Sequence, residues 1–483
     1  MSGEAASVVW GLRTEMKLLV RGGTVISPEG SRAADVLCDG ERILAVTDHG
    51  ETPLASVDDV VDATGLLVFP GLIDAHVHSR DPGATHKEDF AHSTRAAAAG
   101  GLTTILEMPN AIPPVTDAEI FEARVRQHTP NAFVDFGLWG LALGPRNLAD
   151  LEGLFAAGAV GVKIFWGYSL DATTLELVYH PKPGAEVVPP PSNAEVLDVF
   201  AEVARVGGLL AAHCEDVDVL ARGRRDADDD TGSYEHLLTL RPALAEAVAV
   251  ATGVEFAEAT GCRFHVVHLS SRRGVQIVRA AQRDRVSVSA ETCPQYLTLT
   301  AGDYEAIGPS MKVYPPVRGV EDQAALWEGI SDGTIGTIAS DHAPHSKEEK
   351  ARGLIEAPAG AVGVETLAPV MLDRMAAGML SPERLALVLS ARPSHQYGLF
   401  PSKGTIAPGA DADLTLVDPE RSRVVRNDAL HTVQRHSPWA GRELRAVPVR
   451  AVLRGRTIML DGEPVGEPSG RFVSRDGRQA QVV

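Results

Sequence analysis

Cysteine is scarce in this chain, and positive charge is in deficit. The four cysteines, Cys38, Cys214, Cys262 and Cys293, form no CxxC pair. That excludes a thiolate zinc ribbon and a disulfide-stapled small domain, and it fits reduced thiols in a cytoplasm. Lys and Arg number 45 against 64 Asp and Glu, a formal net charge of −19. Nucleic acid is therefore an unexpected partner, since phosphate binding needs concentrated basic surface. No apolar run approaches the roughly 20 residues of a bilayer span, so no membrane partner is expected either. The opening "MSGEAASVVWGLRTE" lacks a basic region followed by an apolar core and reads as a short extension, residues 1–15, with Met16 an alternative start. What is plentiful, 44% hydrophobic residues and 46 glycines, suits a globular enzyme.

Two textures alternate along the chain. From Lys17 to about Leu67, and again in "GTIAPGADADLTLVDP" and "VRAVLRGRTIMLDGEPV", short strands are broken by Gly and Asp turns. They predict a small β-sandwich built from both chain ends, residues 16–67 and 397–483, the latter including a C-terminal tail. Residues 68–396 instead alternate apolar strands with Ala/Leu/Glu-rich helical stretches. Eight strand units are countable: "VFPGLIDAHVH", "LTTILEMP", "FVDFGLWGL", "AVGVKIFW", "LLAAHCE", "FHVVHLSS", "VSVSAETCP" and "GTIASDHAP". Their order predicts an α/β fold, a (β/α)8 TIM-like barrel.

The stretch "DAHVHSRDPG" places His76 and His78 two apart at the end of the first strand, so both imidazoles face one side. Polar residues recur at the same end of other strands: Asn110 after the second, Lys163 on the fourth, His213 on the fifth, His268 on the sixth and Asp341 on the eighth. In a barrel those ends converge on the face that carries active sites. Nitrogen and oxygen donors without thiolate suit zinc and tolerate manganese or cobalt. For HxH alone, buried hydrogen-bonded histidines are the plain alternative. Lys163 would be a costly buried cation unless it pairs, with Asp341 or Glu215, or adds CO2 to become a carbamate able to bridge two metals. Asp341 could take a proton from a water held there and pass it on, as general base and then general acid.

The order HxH, Lys, His, His, Asp, with "PGLIDAHVH", "GGLTTILEMPN", "ETCPQYL", "MKVYPPVR", "SDHAPH" and "KGTIAPGADADL", resembles the cyclic amidohydrolases: dihydroorotases, allantoinases, hydantoinases and dihydropyrimidinases. The resemblance covers nearly all of the chain from Met16. It implies that His76, His78 and Asp341 bind one metal, that His213 and His268 bind a second, and that carbamylated Lys163 bridges them. It further implies an enzyme that opens the C–N bond of a cyclic amide or ureide with water activated by two metals. Noncatalytic assembly relatives of dihydropyrimidinase keep the fold and lose these ligands; here all six positions are filled.

Four residues bear on the ring. Arg80 offers a planar fork to a carboxylate, with a salt bridge to Asp81 or Glu88 as its structural alternative. Asn110 adds an amide donor and His345 a further substrate contact. The Arg80 and Asn110 pair resembles the dihydroorotase pattern, which makes a carboxylate-bearing ring the expected substrate. Tyr168, five residues after Lys163, resembles instead the tyrosine by which hydantoinases and dihydropyrimidinases stabilise an oxyanion. Allantoinase or hydantoinase activity is the alternative it supports, and an aromatic pocket wall is its plain role. The 167–191 connection, with "PKPGAEVVPPP", reads as an ordered lid or interface loop packed on Trp166 and Tyr179. Apolar surface on the sandwich or lid would favour a homo-oligomer, a dimer or tetramer.

Overall fold

Eight strands run in chain order around a closed barrel: Leu72–Val77, Leu102–Glu107, Asp135–Leu138, Val162–Trp166, Leu209–Cys214, Arg263–Val266, Val288–Thr292 and Thr337–Ile338. The structure is a computed structural model that describes residues 16–179, 181, 184–226 and 232–475. The 1–15 extension and the last eight residues of the tail lie outside the described residues. Neighbouring strands pair in parallel, the third meeting the fourth through Gly140–Leu141. A parallel bridge between Val77 and His342 closes the eighth strand onto the first. The first five strands are buried at every position, which is why they read as apolar runs without alternation.

Helices cover the outside of the barrel. Asn193–Arg205 shows why the sequence forms them: Ser192 and Glu195 close a capping box, and Val196, Val199, Phe200 and Val203 make one buried stripe. Inside the barrel Ile73, Ala75, Leu106, Trp139, Leu209 and Ala211 pack with Tyr397, so the interior is a core, not a pore. Among the described residues one stretch, Tyr234–Thr260, is long and apolar enough to cross a membrane by length and composition. It comprises two helices of the barrel wall with the buried Arg241 between them.

Both chain ends meet in one nine-stranded sheet, as the texture predicts. Leu67–Pro70 pairs antiparallel with Leu414–Val424 and parallel with Lys17–Ser27. The expected boundary at residue 68 therefore moves: Val68–Pro70 belongs to the terminal sheet, and Gly71 is the joint to the barrel. A Cβ there would meet Thr103 Oγ1 at 2.3 Å and Asp413 Cβ at 2.7 Å, so only glycine allows the crossing. The tail then returns to the barrel, where the Gly470 and Val473 amides donate to the Ala132 and Phe136 carbonyls.

The 167–191 connection carries a small antiparallel flap, with Ser169–Asp171 between Leu177–Val178 and Val187–Val188. Tyr179 packs edge-on against Tyr168 and Tyr314, with ring centres 4.9 and 5.7 Å apart. Trp166 does not support the flap, contrary to expectation. Strand alternation turns Lys163 and Phe165 inward and Trp166 outward, onto Phe256.

Candidate active site

The polar strand ends converge at the C-terminal mouth of the barrel. His76 Nε2 lies 3.3 Å and His78 Nε2 3.5 Å from Asp341 Oδ1, and one donor atom from each of the three falls within 4.8 Å of the others. His213 Nδ1 faces His268 Nε2 at 2.9 Å. The His76 and His268 rings are 5.5 Å apart, so the two groups adjoin. Lys163 is fully buried, and its Nζ has no hydrogen-bond partner among the described residues. Neither Asp341 nor Glu215 pairs with it. Arg80, His268 and Asp341 adopt left-handed backbone, with φ of 58°, 39° and 48°. Such conformations are costly for residues other than glycine and cluster at functional sites.

Protonation suits ligation. Burial lowers His78 to about 3 and holds His213 and His268 below their ordinary value, which keeps the imidazoles neutral. Burial alone would raise the Asp341 carboxyl, but the imidazoles of His76, His78 and His268 hold it well below the usual range. Burial also lowers the Lys163 amine to about 8, against the pull of Glu291 and Asp341. Neutral imidazoles, an ionised carboxylate and an amine that sheds its proton near neutrality form a donor set fitted to divalent cations.

A family model described as the amidohydrolase family matches residues 67–458. The chain belongs to the amidohydrolase family. An allantoinase of Rubrobacter xylanophilus is 40% identical over 463 residues, 94% of this chain and 97% of that one. An allantoinase of Streptomyces avermitilis is 36% identical over 466 residues, covering 96% and 100%. The solved L-hydantoinase of Arthrobacter aurescens superposes with a TM-score of 0.88 at 31% identity, over 95% of this chain and 100% of that one. This amidohydrolase thus stands with the cyclic amidohydrolases, a group whose matched members are also named as dihydroorotases.

Three residues orient the histidines of this amidohydrolase; Glu291 was missed in the sequence, and Glu215, expected as a partner of Lys163, pairs instead with His213. His76 Nδ1 is 2.5 Å from Glu291, His213 Nε2 is 2.8 Å from Glu215, and His78 Nδ1 is 2.6 Å from Asn110 Oδ1. Such partners select the tautomer and aim the ring. Glu291 sits at the end of the seventh strand, the position that singled out the other polar residues of the mouth. Asn110 also lines the cavity: its oxygen is engaged by His78, and its amide NH2 is a separate donor.

His345 is a correction. It does not line the cavity; its Nε2 donates to the Ala359 carbonyl at 3.1 Å, and Lys87 Nζ lies 3.4 Å from its Nδ1. Arg80 does line the cavity; its Nε donates to the Pro344 carbonyl at 3.4 Å, while its Nη2 lies 3.3 Å from His345 Nε2, which donates to Ala359 and so does not accept from it. It pairs with neither Asp81 nor Glu88 among the described contacts. Tyr168 forms a cavity wall with Phe165, Leu177, Tyr179 and Tyr314, and its hydroxyl is buried beside Arg241.

Proposed function

We propose that this amidohydrolase opens a cyclic ureide of the allantoin or hydantoin type at its C–N amide bond. Two divalent metals serve it, zinc first, with manganese or cobalt as substitutes. His76, His78 and Asp341 would hold one, His213 and His268 the other, and Lys163, as its CO2-derived carbamate, would join both. The observation that carries this reading is the fully buried, unpartnered Lys163 amine among those donors. Its lowered pKa supplies the neutral amine to which CO2 adds. When bound, the metals supply Lewis acidity and bring the pKa of water towards neutrality.

The remaining chemistry belongs to the chain. Asp341 turns Oδ1 to His76 and His78, leaving Oδ2 to accept a proton from the attacking water and deliver it to the departing ring nitrogen. The Tyr168 hydroxyl donates to the ring carbonyl oxygen as charge develops there. Phe165, Leu177, Tyr179 and Tyr314 keep water from the ring. The barrel carries these steps, and the terminal sheet supports it.

An uncharged ring is favoured because the two relatives named above are allantoinases, and because Arg80 Nε is already engaged by the Pro344 carbonyl. Dihydroorotate is the second reading, favoured by the presence of Arg80 on the cavity wall. The test is kcat/KM for allantoin beside hydantoin, dihydrouracil and L-dihydroorotate, with zinc and bicarbonate supplied. Allantoin or hydantoin is expected to lead by at least about tenfold. A comparable lead for dihydroorotate would return Arg80 to the role of carboxylate anchor. Four free, buried cysteines accord with a cytoplasmic location. The exposed Leu44 and Val60 of the terminal sheet, with Leu54 on the turn between their strands, accord with a dimer or tetramer, which light scattering would measure.

A further inference from the structure

Arg241 is 1% exposed, at the turn between helices Tyr234–Leu240 and Ala243–Thr260, and no hydrolytic step uses it. Its Nε donates to both oxygens of Glu215 at 3.2 Å. Its Nη2 donates to Glu215 Oε2 and, at 3.0 Å, to the Tyr168 hydroxyl. The guanidinium stacks on Tyr314, with its carbon 3.7 Å from the ring centre. Glu215 in turn receives His213 Nε2 at 2.8 Å, and the Tyr168 and His213 rings lie 4.4 Å apart. One planar cation therefore grips both the phenol and the carboxylate that aims a histidine.

This geometry gives the phenol a direction. A donor on its oxygen engages a lone pair, so the O–H must point elsewhere. Glu215 is a weak acceptor for it: the separation is 3.4 Å, and Oε2 already receives Arg241 and His213. The proton is thus left for the cavity, and donation onto the oxygen polarises the O–H and strengthens it as a donor. We propose that Arg241 is a positioning residue that makes Tyr168 a one-way donor into the cavity and, through Glu215, keeps it in register with His213. The proposal rests on the reading of Tyr168 as the oxyanion donor. A lysine could not replace it, because a compact ammonium lacks the fork that spans both partners.

Arg241→Lys keeps a cation opposite Glu215 and removes the fork. The holoenzyme would be labelled with tyrosine carrying carbon-13 at Cζ, and the Tyr168 resonance assigned with Tyr168→Phe. Metal content, and kcat and KM for whichever ring is turned over fastest, would be measured in both single variants and the double. Expected for Arg241→Lys are a shifted Tyr168 resonance, wild-type metal content, and kcat lower by about 10- to 100-fold with KM within about threefold. Combination with Tyr168→Phe should add less than about threefold. An unmoved resonance, losses that multiply in the double variant, or activity that tracks lost metal would overturn the proposal. If Tyr168→Phe keeps full kcat, the oxyanion reading falls; the resonance then decides alone, a shift supporting the grip of Arg241 and no shift ending it. Should Arg241→Lys fail to fold, the pair Arg241→Met with Glu215→Gln removes both charges and is read the same way.

Discussion

At the N-terminal end of the barrel Lys403 is buried among three carboxylates; at the C-terminal end Lys163 is buried among imidazoles, with no hydrogen-bond partner among the described residues. Lys403 Nζ lies 2.5 Å from Asp135, 2.6 Å from Asp413 and 2.9 Å from Asp411, and Arg454 also bonds Asp135. Those three carboxylates are spaced closely enough to hold a metal ion, yet the cation between them is an ammonium of the chain itself. Burial opposes the charge of Lys403, but Asp135, Asp413 and Asp411 overcome it and raise its pKa well above the ordinary lysine value. Burial wins at Lys163, which falls to about 8. Two lysines of similar burial thus carry opposite electrostatics. The saturated cluster ties the terminal sheet to the barrel, while the unsaturated one retains donor capacity for chemistry.

Four experiments would break or sharpen that contrast. Lys163→Ala should lower turnover by at least about a thousandfold and reduce metal content from about two ions per chain, with little change in melting temperature; full activity without metal would end the mechanism. Lys403→Met should do the reverse, costing about 3–5 kcal/mol in urea unfolding by leaving buried carboxylates uncompensated. Metal content of the folded fraction should stay constant, and an extra ion bound there would erase the contrast between the clusters. Asn110→Ala removes the acceptor from His78 and should weaken metal affinity by about 10- to 100-fold on competition with a chelator. A pure KM effect confined to dihydroorotate would instead assign the Asn110 amide to the substrate.

The smallest effect lies away from both clusters, at Asp35. Burial would raise its carboxyl, but the Gly50 amide, His49 and the Gly22 amide together lower it. A lowered folded value means stabilisation that is complete above the unfolded aspartate value of about 4 and lost as pH falls through the folded value. Asp35→Asn should therefore unfold at lower urea than wild type at pH 7, and the gap should narrow below about pH 4. A gap constant with pH would assign the difference to packing.

Much of the site was legible because strand periodicity and strand order are local properties. His76, His78, Lys163, His213, His268 and Asp341 were each found at the end of an apolar run, and they meet at one mouth. Glu291 obeys the same rule and was overlooked because a glutamate after a strand looks like a solvated turn. Glu215 and Arg241 were not legible as a pair, since nothing in a 26-residue separation announces a shared buried contact. His345 was read as a free donor because a sequence shows donor capacity and not its occupancy. The strand at Val68–His78 was read as continuous because both halves are apolar; the crowding around Gly71 divides it between two sheets.

By itself, then, the sequence determined the barrel, the shared terminal sheet and the inventory of donors at the mouth, since these follow from periodicity, order and side-chain chemistry. Only the tertiary structure decided which donors are already engaged. A hydrogen bond such as that between His76 and Glu291, 215 positions apart, is created by folding and cannot be read from either end alone. That is why Lys163 and Lys403, alike as letters, became an amine without a hydrogen-bond partner among the described residues and a cation held by three carboxylates.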